Sequence, residues 1–224
     1  MTTKEIYRME GSHGFDSRGV WNQTVRMESV TCSLVPGHQR AGRRLTSLSV
    51  DFKKPFVGED FLWSSYSECL VREDAVTCLT ELKLTGFFTQ KAEVTVAGRP
   101  VPIRYDEFSV TGWGGIAAPA SGVELKNNCP VCGMLDYTGV RNWRNLIDWK
   151  QWDGSDIFMV WPLPRFIFVT ARVRNVLESA RLSGISFHAI SELEPQEGGL
   201  SPGRLSYWLP IDSAKQYGVP PDLL

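Results

Sequence analysis

The side chains best placed for chemistry are Cys129 and Cys132 in the run Cys129-Pro130-Val131-Cys132-Gly133. Two cysteines at this spacing can grip one zinc ion, because the turn between them aims both sulfurs at a common point. One such pair is half of a tetrahedral site. Ninety-seven residues before Cys129 stands Cys32, in Cys32-Ser33-Leu34-Val35-Pro36-Gly37, where a second cysteine would fall on Val35. The candidate metal ligands are therefore Cys32, Cys129 and Cys132, with His38 the nearest replacement for a fourth. Three readings stay open: a structural or vestigial knuckle, an intact zinc site, and a redox pair. The redox reading needs a strand followed by a helix opening at Cys129, whereas Asn127-Asn128 ahead of Pro130 reads as a loop.

Other catalytic material is thin. His13 and His38 lie in Gly-rich segments, and His188 falls in an expected strand. The nucleophile-elbow, His-Glu-x-x-His and P-loop patterns are missing, and Thr111-Gly112-Trp113-Gly114-Gly115-Ile116 lacks the spacing of a phosphate cradle and reads as a loop. Cys69 and Cys78 fall at apolar positions, where cysteine behaves as a small hydrophobe. Asp148, Asp153 and Asp156 lack the glycine and distal glutamate of a calcium loop. They alternate instead with Trp143, Trp149 and Trp152, and tryptophans beside acids can anchor a basic protein partner. The competing reading is that these tryptophans, with Trp161, fill a core.

Composition narrows the classes further. The 24 basic and 25 acidic residues leave a net charge of −1, so no global field draws in nucleic acid or an anionic membrane. Apolar runs such as 157–164 are far shorter than the roughly 20 residues of a membrane helix. The polar N-terminal stretch lacks an export signal, and five cysteines are an odd number, so a reduced, cytoplasmic chain without a disulfide framework is expected.

The elements that position these residues follow from an internal repeat. Aligning Trp63 with Trp161 sets Leu70-Val71 on Phe168-Val169, Cys78-Leu79 on Val176-Leu177 and Leu84-Thr85-Gly86 on Leu182-Ser183-Gly184. In the second copy a β-rich run, 166–169, leads to Thr170 as helix cap and to apolar positions Val173, Val176, Leu177 and Ala180 at helical spacing. Gly184 then stops the helix before a second β-rich run, 185–190. In the first copy the helix covers 73–82 and Phe87-Phe88 enters the next strand. Between the copies, 92–96 and 100–105 flank Ala97-Gly98 as a hairpin. The expected fold class is α+β: two similar strand-helix-strand modules around a central antiparallel β region, with a degenerate zinc knuckle. The expected division is 1–110 and 111–224, the second part ending in a proline-punctuated, irregular segment from Pro195 that wraps the body or frays.

The order of a first Cys-x-x-Cys remnant, Ser49-Val50-Asp51-Phe52, a helix ending in Leu-x-Gly, then CPVCG and Asp153-Gly154-Ser155-Asp156-Ile157-Phe158 resembles the double-CXXCG immunity proteins of bacterial polymorphic toxin systems, over about residues 30–190. The resemblance implies a cytoplasmic protein that binds and neutralises a cognate toxin of the producing cell, with no activity of its own. A nuclease-type toxin would present the basic groove that the acidic, Trp-rich segment complements. Trp143, Asp148, Trp149, Trp152, Asp153 and Asp156 are then the partner-binding candidates, with no nucleic-acid or membrane partner. Zinc is the only candidate cofactor, and Val35 puts the family's full metal site in doubt. The alternative is a zinc- or thiol-dependent enzyme using Cys129, Cys132 and His188.

Overall fold

The computed structural model describes residues 4–53 and 58–223. The first half of the chain forms β1 (Ile6–Gly11), β2 (Val20–Trp21), β3 (Met27–Val30), β4 (Arg40–Arg44), β5 (Ser49–Phe52), β6 (Phe61–Trp63), β7 (Cys69–Arg72), α1 (Glu73–Glu81), β8 (Phe87–Lys91), β9 (Glu93–Val96) and β10 (Arg99–Pro100). The rest of the chain forms β11 (Tyr105–Val110), β12 (Gly112–Ile116), β13 (Leu125–Asn128), β14 (Leu135–Tyr137), β15 (Ile157–Trp161), β16 (Ile167–Thr170), α2 (Ala171–Ser179), β17 (Ile185–Ala189) and α3 (Ile211–Gln216). The fold is mixed α+β, dominated by sheets and with few helices.

Two sheets carry the architecture, ordered β6-β7-β11-β8 and β12-β15-β16-β1-β17. The five-stranded sheet takes β1 from the opposite end of the sequence, whereas the four-stranded sheet is built entirely within residues 61–110. Strand β1 lies between β16 and β17, pairing Tyr7 with Val169 and Ala189, whereas β11 lies between β7 and β8, pairing Phe108 with Cys69 and Thr89. Helices α1 and α2 turn Ala75, Leu79, Val173 and Leu177 into one shared apolar cluster that also holds Phe61, Trp63, Ile157 and Val169. A smaller sheet, β10-β9-β5-β2, extends the first half, and two separate hairpins, β3–β4 and β13–β14, complete the strands. Among the described residues no helix is long and apolar enough to cross a membrane.

The two large sheets are locked by matching contacts. Thr85 donates its backbone N–H and hydroxyl to Asp156 at 3.1 Å each, and Ser183 does the same to Asp60 at 2.8 and 2.9 Å. Arg172 pairs with Asp156 at 2.8 Å and Arg72 with Asp60 at 2.6 Å. Both carboxylates are buried, and their bonds to charged donors offset the desolvation they suffer. Beside each clamp a glycine with positive φ, Gly86 and Gly184, ends the turn after a helix. A Cβ there would meet the carbonyl of Ile157 at 1.9 Å or of Phe61 at 2.0 Å, so only glycine allows the approach.

Several sequence expectations change in detail. Thr170 stands at the start of α2 but makes no side-chain capping bond. The first α2 amide is instead satisfied by the Glu5 carbonyl at 3.2 Å. The Gly-rich stretch expected as a loop contains the edge strand β12, parallel to β15. A Cβ on Gly114 would lie 2.5 Å from the Phe158 ring, so glycine lets the strand run against that side chain. The hairpin turns at Ala97-Gly98, both with positive φ as a two-residue turn of this kind requires. Its second arm stops at Pro100, which lacks an N–H to continue the ladder, and Tyr105 opens β11 in another sheet. The C-terminal segment includes α3 and buries Leu205, Leu209, Ala214 and Val219 against Trp113, Met159 and Trp161.

Asp156→Ala and Asp60→Ala are each expected to lower the unfolding free energy by about 2–3 kcal/mol, since two amide or hydroxyl donors and an arginine lose their acceptor. Urea denaturation checks this, and a change at only one of the two sites would contradict the matched roles.

Candidate metal centre

The loops at the tips of the two small hairpins meet. Residues 31–39 join β3 to β4, and 129–134 join β13 to β14, with Asn128 paired to Leu135 across the second hairpin. Cys129 and Cys132 come from one loop, Cys32 and His38 from the other, and one ligand atom of each lies within 4.8 Å of all the others. The Cys32 and Cys129 sulfurs are 3.6 Å apart, and the Cys132 sulfur is 3.6 Å from His38 Nδ1. Tetrahedral zinc with Zn–S of about 2.3 Å and Zn–N of about 2.0–2.1 Å places two sulfurs about 3.8 Å apart and sulfur and nitrogen about 3.6 Å apart. The cysteines are free thiols, and all three are buried.

Val35 is exposed, and its N–H points back to the Cys32 sulfur at 3.3 Å. The loop then turns through the His38 N–H to Val35 carbonyl bond of 3.0 Å. The position that would have carried a second cysteine thus donates from its backbone, and the histidine three residues later brings the fourth ligand. In the other loop the Cys129 N–H bonds the Met134 carbonyl at 2.9 Å and the Gly133 N–H bonds the Cys129 carbonyl at 2.8 Å.

The backbone N–H groups of Cys132 and Val131 lower the Cys129 thiol to about 6 against the opposing effect of burial, with His38 and Cys132 adding to the shift. Burial raises the Cys32 thiol, partly offset by the amides of Val35 and Leu34. Three thiolates around Zn²⁺ would leave one negative charge. Arg40 is in place to balance it, donating to the Cys132 carbonyl at 3.1 Å and lying 3.7 Å from its sulfur. Four protein donors fill a tetrahedral shell, the arrangement of structural rather than catalytic zinc.

The other nominated residues lie elsewhere. His188 takes no part in the cluster and pairs with Glu10 at 2.9 Å on β17, so the trio Cys129, Cys132 and His188 is not assembled. Trp143 is buried, donating to the Glu194 carbonyl at 2.7 Å and stacking on Phe166. Asp156 is the buried clamp described above. Asp148 accepts from Gln151 and from the Lys150 amide, which hold its carboxyl below the usual range. Asp153 is exposed and accepts from the Trp113 amide at 2.9 Å, from Ser155 and from the Tyr217 hydroxyl at 3.0 Å. Burial, with Asp153 next, pushes that tyrosine up to about 12. Trp149 is exposed and meets the half-buried Trp152 edge to face at 5.7 Å. Lys4 Nζ sits 4.1 Å over the Trp152 ring. Asp148, Trp149, Trp152 and Asp153 therefore share one short surface loop, while Trp143 and Asp156 face inward.

Sequence reasoning missed a cleft of about 650 Å³ beside the two cysteine-bearing loops, walled by β4, the turn at Tyr66–Glu68 and the segment 201–210. Its walls come from distant parts of the chain, and no local motif announces them. Comparison with family models and with curated proteins finds no match.

One equivalent of zinc per reduced chain is the expected stoichiometry. His38→Ala should weaken binding by at least about tenfold and His38→Cys should largely restore it, since a thiolate can replace an imidazole donor. Competition against a chromophoric chelator measures both, and unchanged affinity in His38→Ala would remove histidine from the ligand set.

Proposed function

We propose that the chain is a zinc-stapled binding protein that neutralises a cognate bacterial toxin in the cytoplasm of the cell making it, by covering the toxin's active site. The observation that carries this reading is the closed set of four donors from two loops about a hundred residues apart. A metal held this way has no open position for a substrate and instead cross-links the chain, which suits a rigid scaffold that acts by stoichiometric binding.

Two further features support it. The loop with Asp148, Trp149, Trp152 and Asp153 offers exposed aromatic area beside carboxylates, the composition of an anchor for a basic partner such as a nuclease groove. The elements 69–72, 73–81 and 87–91 recur as 167–170, 171–179 and 185–189, a constant shift of 98. We read that recurrence as two diverged copies of one module, each carrying half of the metal site. In this reading the first loop exchanged a cysteine for His38 and kept its place in the ligand shell.

Co-expression with the product of the adjacent gene, followed by affinity capture and a growth-rescue assay, tests the proposal. A stable complex and protection are expected, and failure of both would refute it. Within such a complex, Trp149→Ala should cost about 2 kcal/mol of affinity through faster dissociation. Asp153→Lys should slow association in a salt-dependent way. Surface plasmon resonance at two ionic strengths separates these effects.

A further inference from the structure

The cleft beside the metal-binding loops has the size, lining and charge of a ligand site. Its volume of about 650 Å³ lies within the roughly 300–1,000 Å³ typical of small-molecule pockets. The apolar part of the lining is supplied by Phe108, Met134, Met159 and Ile167, from strands of both large sheets and the second metal-binding loop. Flat rings stand around it: Trp21 stacks on Tyr66 at 4.0 Å, and Trp208 lies under the Arg165 guanidinium at 5.3 Å.

The charged lining is unbalanced toward the positive. Four guanidiniums, of Arg40, Arg43, Arg44 and Arg165, face two carboxylates, of Glu68 and Glu107. Both carboxylates are already engaged: Glu107 by Arg44 and by Gln90 at 2.9 Å, Glu68 by Ser64 and by the Trp21 indole at 3.2 Å. Arg40 is committed to Cys132. The Arg43 guanidinium has no hydrogen bond or ion pair among the described residues, and Arg165 spends one nitrogen on the Tyr66 carbonyl. Donors for an anion therefore remain on Arg43 and Arg165, above an apolar, aromatic-walled space.

We propose that this cleft binds a small anionic amphiphile, an aromatic or branched apolar body carrying a carboxylate, sulfonate or similar head group. The body packs on Met159, Ile167 and the rings of Trp21 and Trp208, and the head group meets Arg43 and Arg165. The site is independent of the toxin-binding reading, which places the partner on the loop around Trp149.

The test uses the full chain and two fluorescent probes of one shape class, the anion 1-anilinonaphthalene-8-sulfonate and the uncharged N-phenyl-1-naphthylamine. The anion is expected to bind one site per chain, to quench tryptophan emission by energy transfer, and to weaken as salt is raised. Replacing Arg43 and Arg165 together by Glu should reduce its affinity by at least about tenfold. The uncharged probe should change by less than about twofold, and Arg43→Gln with Arg165→Gln should give an intermediate loss for the anion alone. Matching melting curves for all variants exclude unfolding as the cause. Absence of anion binding, equal affinity in the charge-reversed chain, or equal loss for both probes would overturn the proposal.

Discussion

The five-stranded sheet is completed by a strand from the other end of the chain, β1 between β16 and β17, whereas β11, between β7 and β8, is close to both in sequence. That sheet cannot therefore form its full hydrogen-bond ladder until both ends of the chain are present, and unpaired backbone groups at a buried strand are costly. The apolar cluster shared by α1 and α2 and the Asp60 and Asp156 clamps then join this sheet to the four-stranded one. Leu79 and Leu177 meet in that one cluster.

The loops that carry Cys32, His38, Cys129 and Cys132 sit outside that core, on hairpins with few strands of their own. A two-stranded hairpin is marginal in water, so the tips of β3–β4 and β13–β14 gain most from a cross-link. The buried sulfurs of Cys32, Cys129 and Cys132 and the adjacent Arg40 provide for one. Metal bound there would tie together two parts of the chain about a hundred residues apart.

The charge pattern separates two surfaces. The loop around Trp149 combines aromatic rings with acids, whereas the cleft between β4 and the 201–210 segment combines aromatic rings with arginines. A chain of net charge −1 shows no overall bias, yet the cleft gathers more arginines than carboxylates. Averaging over the sequence hides this, because the arginines of β4 and Arg165 are far apart in sequence and are gathered only by folding.

Local pattern determined much of the secondary structure. Helical spacing of Val173 and Leu177, terminated before Gly184, marks α2, the same pattern before Gly86 marks α1, and the short spacing of Cys129 and Cys132 marks a metal-binding turn. These signals are legible because they act between residues a few positions apart, through backbone geometry and side-chain periodicity. Tertiary structure alone decided that β1 crosses to the far sheet, that Gly112–Ile116 is a strand against Phe158, and that Asp156 turns inward to Thr85 and Arg172. It also decided that His38, a residue the sequence could only nominate, stands 3.6 Å from Cys132. Those outcomes depend on partners about 15 to 170 residues away, whose pairing is chosen by burial and hydrogen bonding in the assembled fold rather than by any preference of the segment itself.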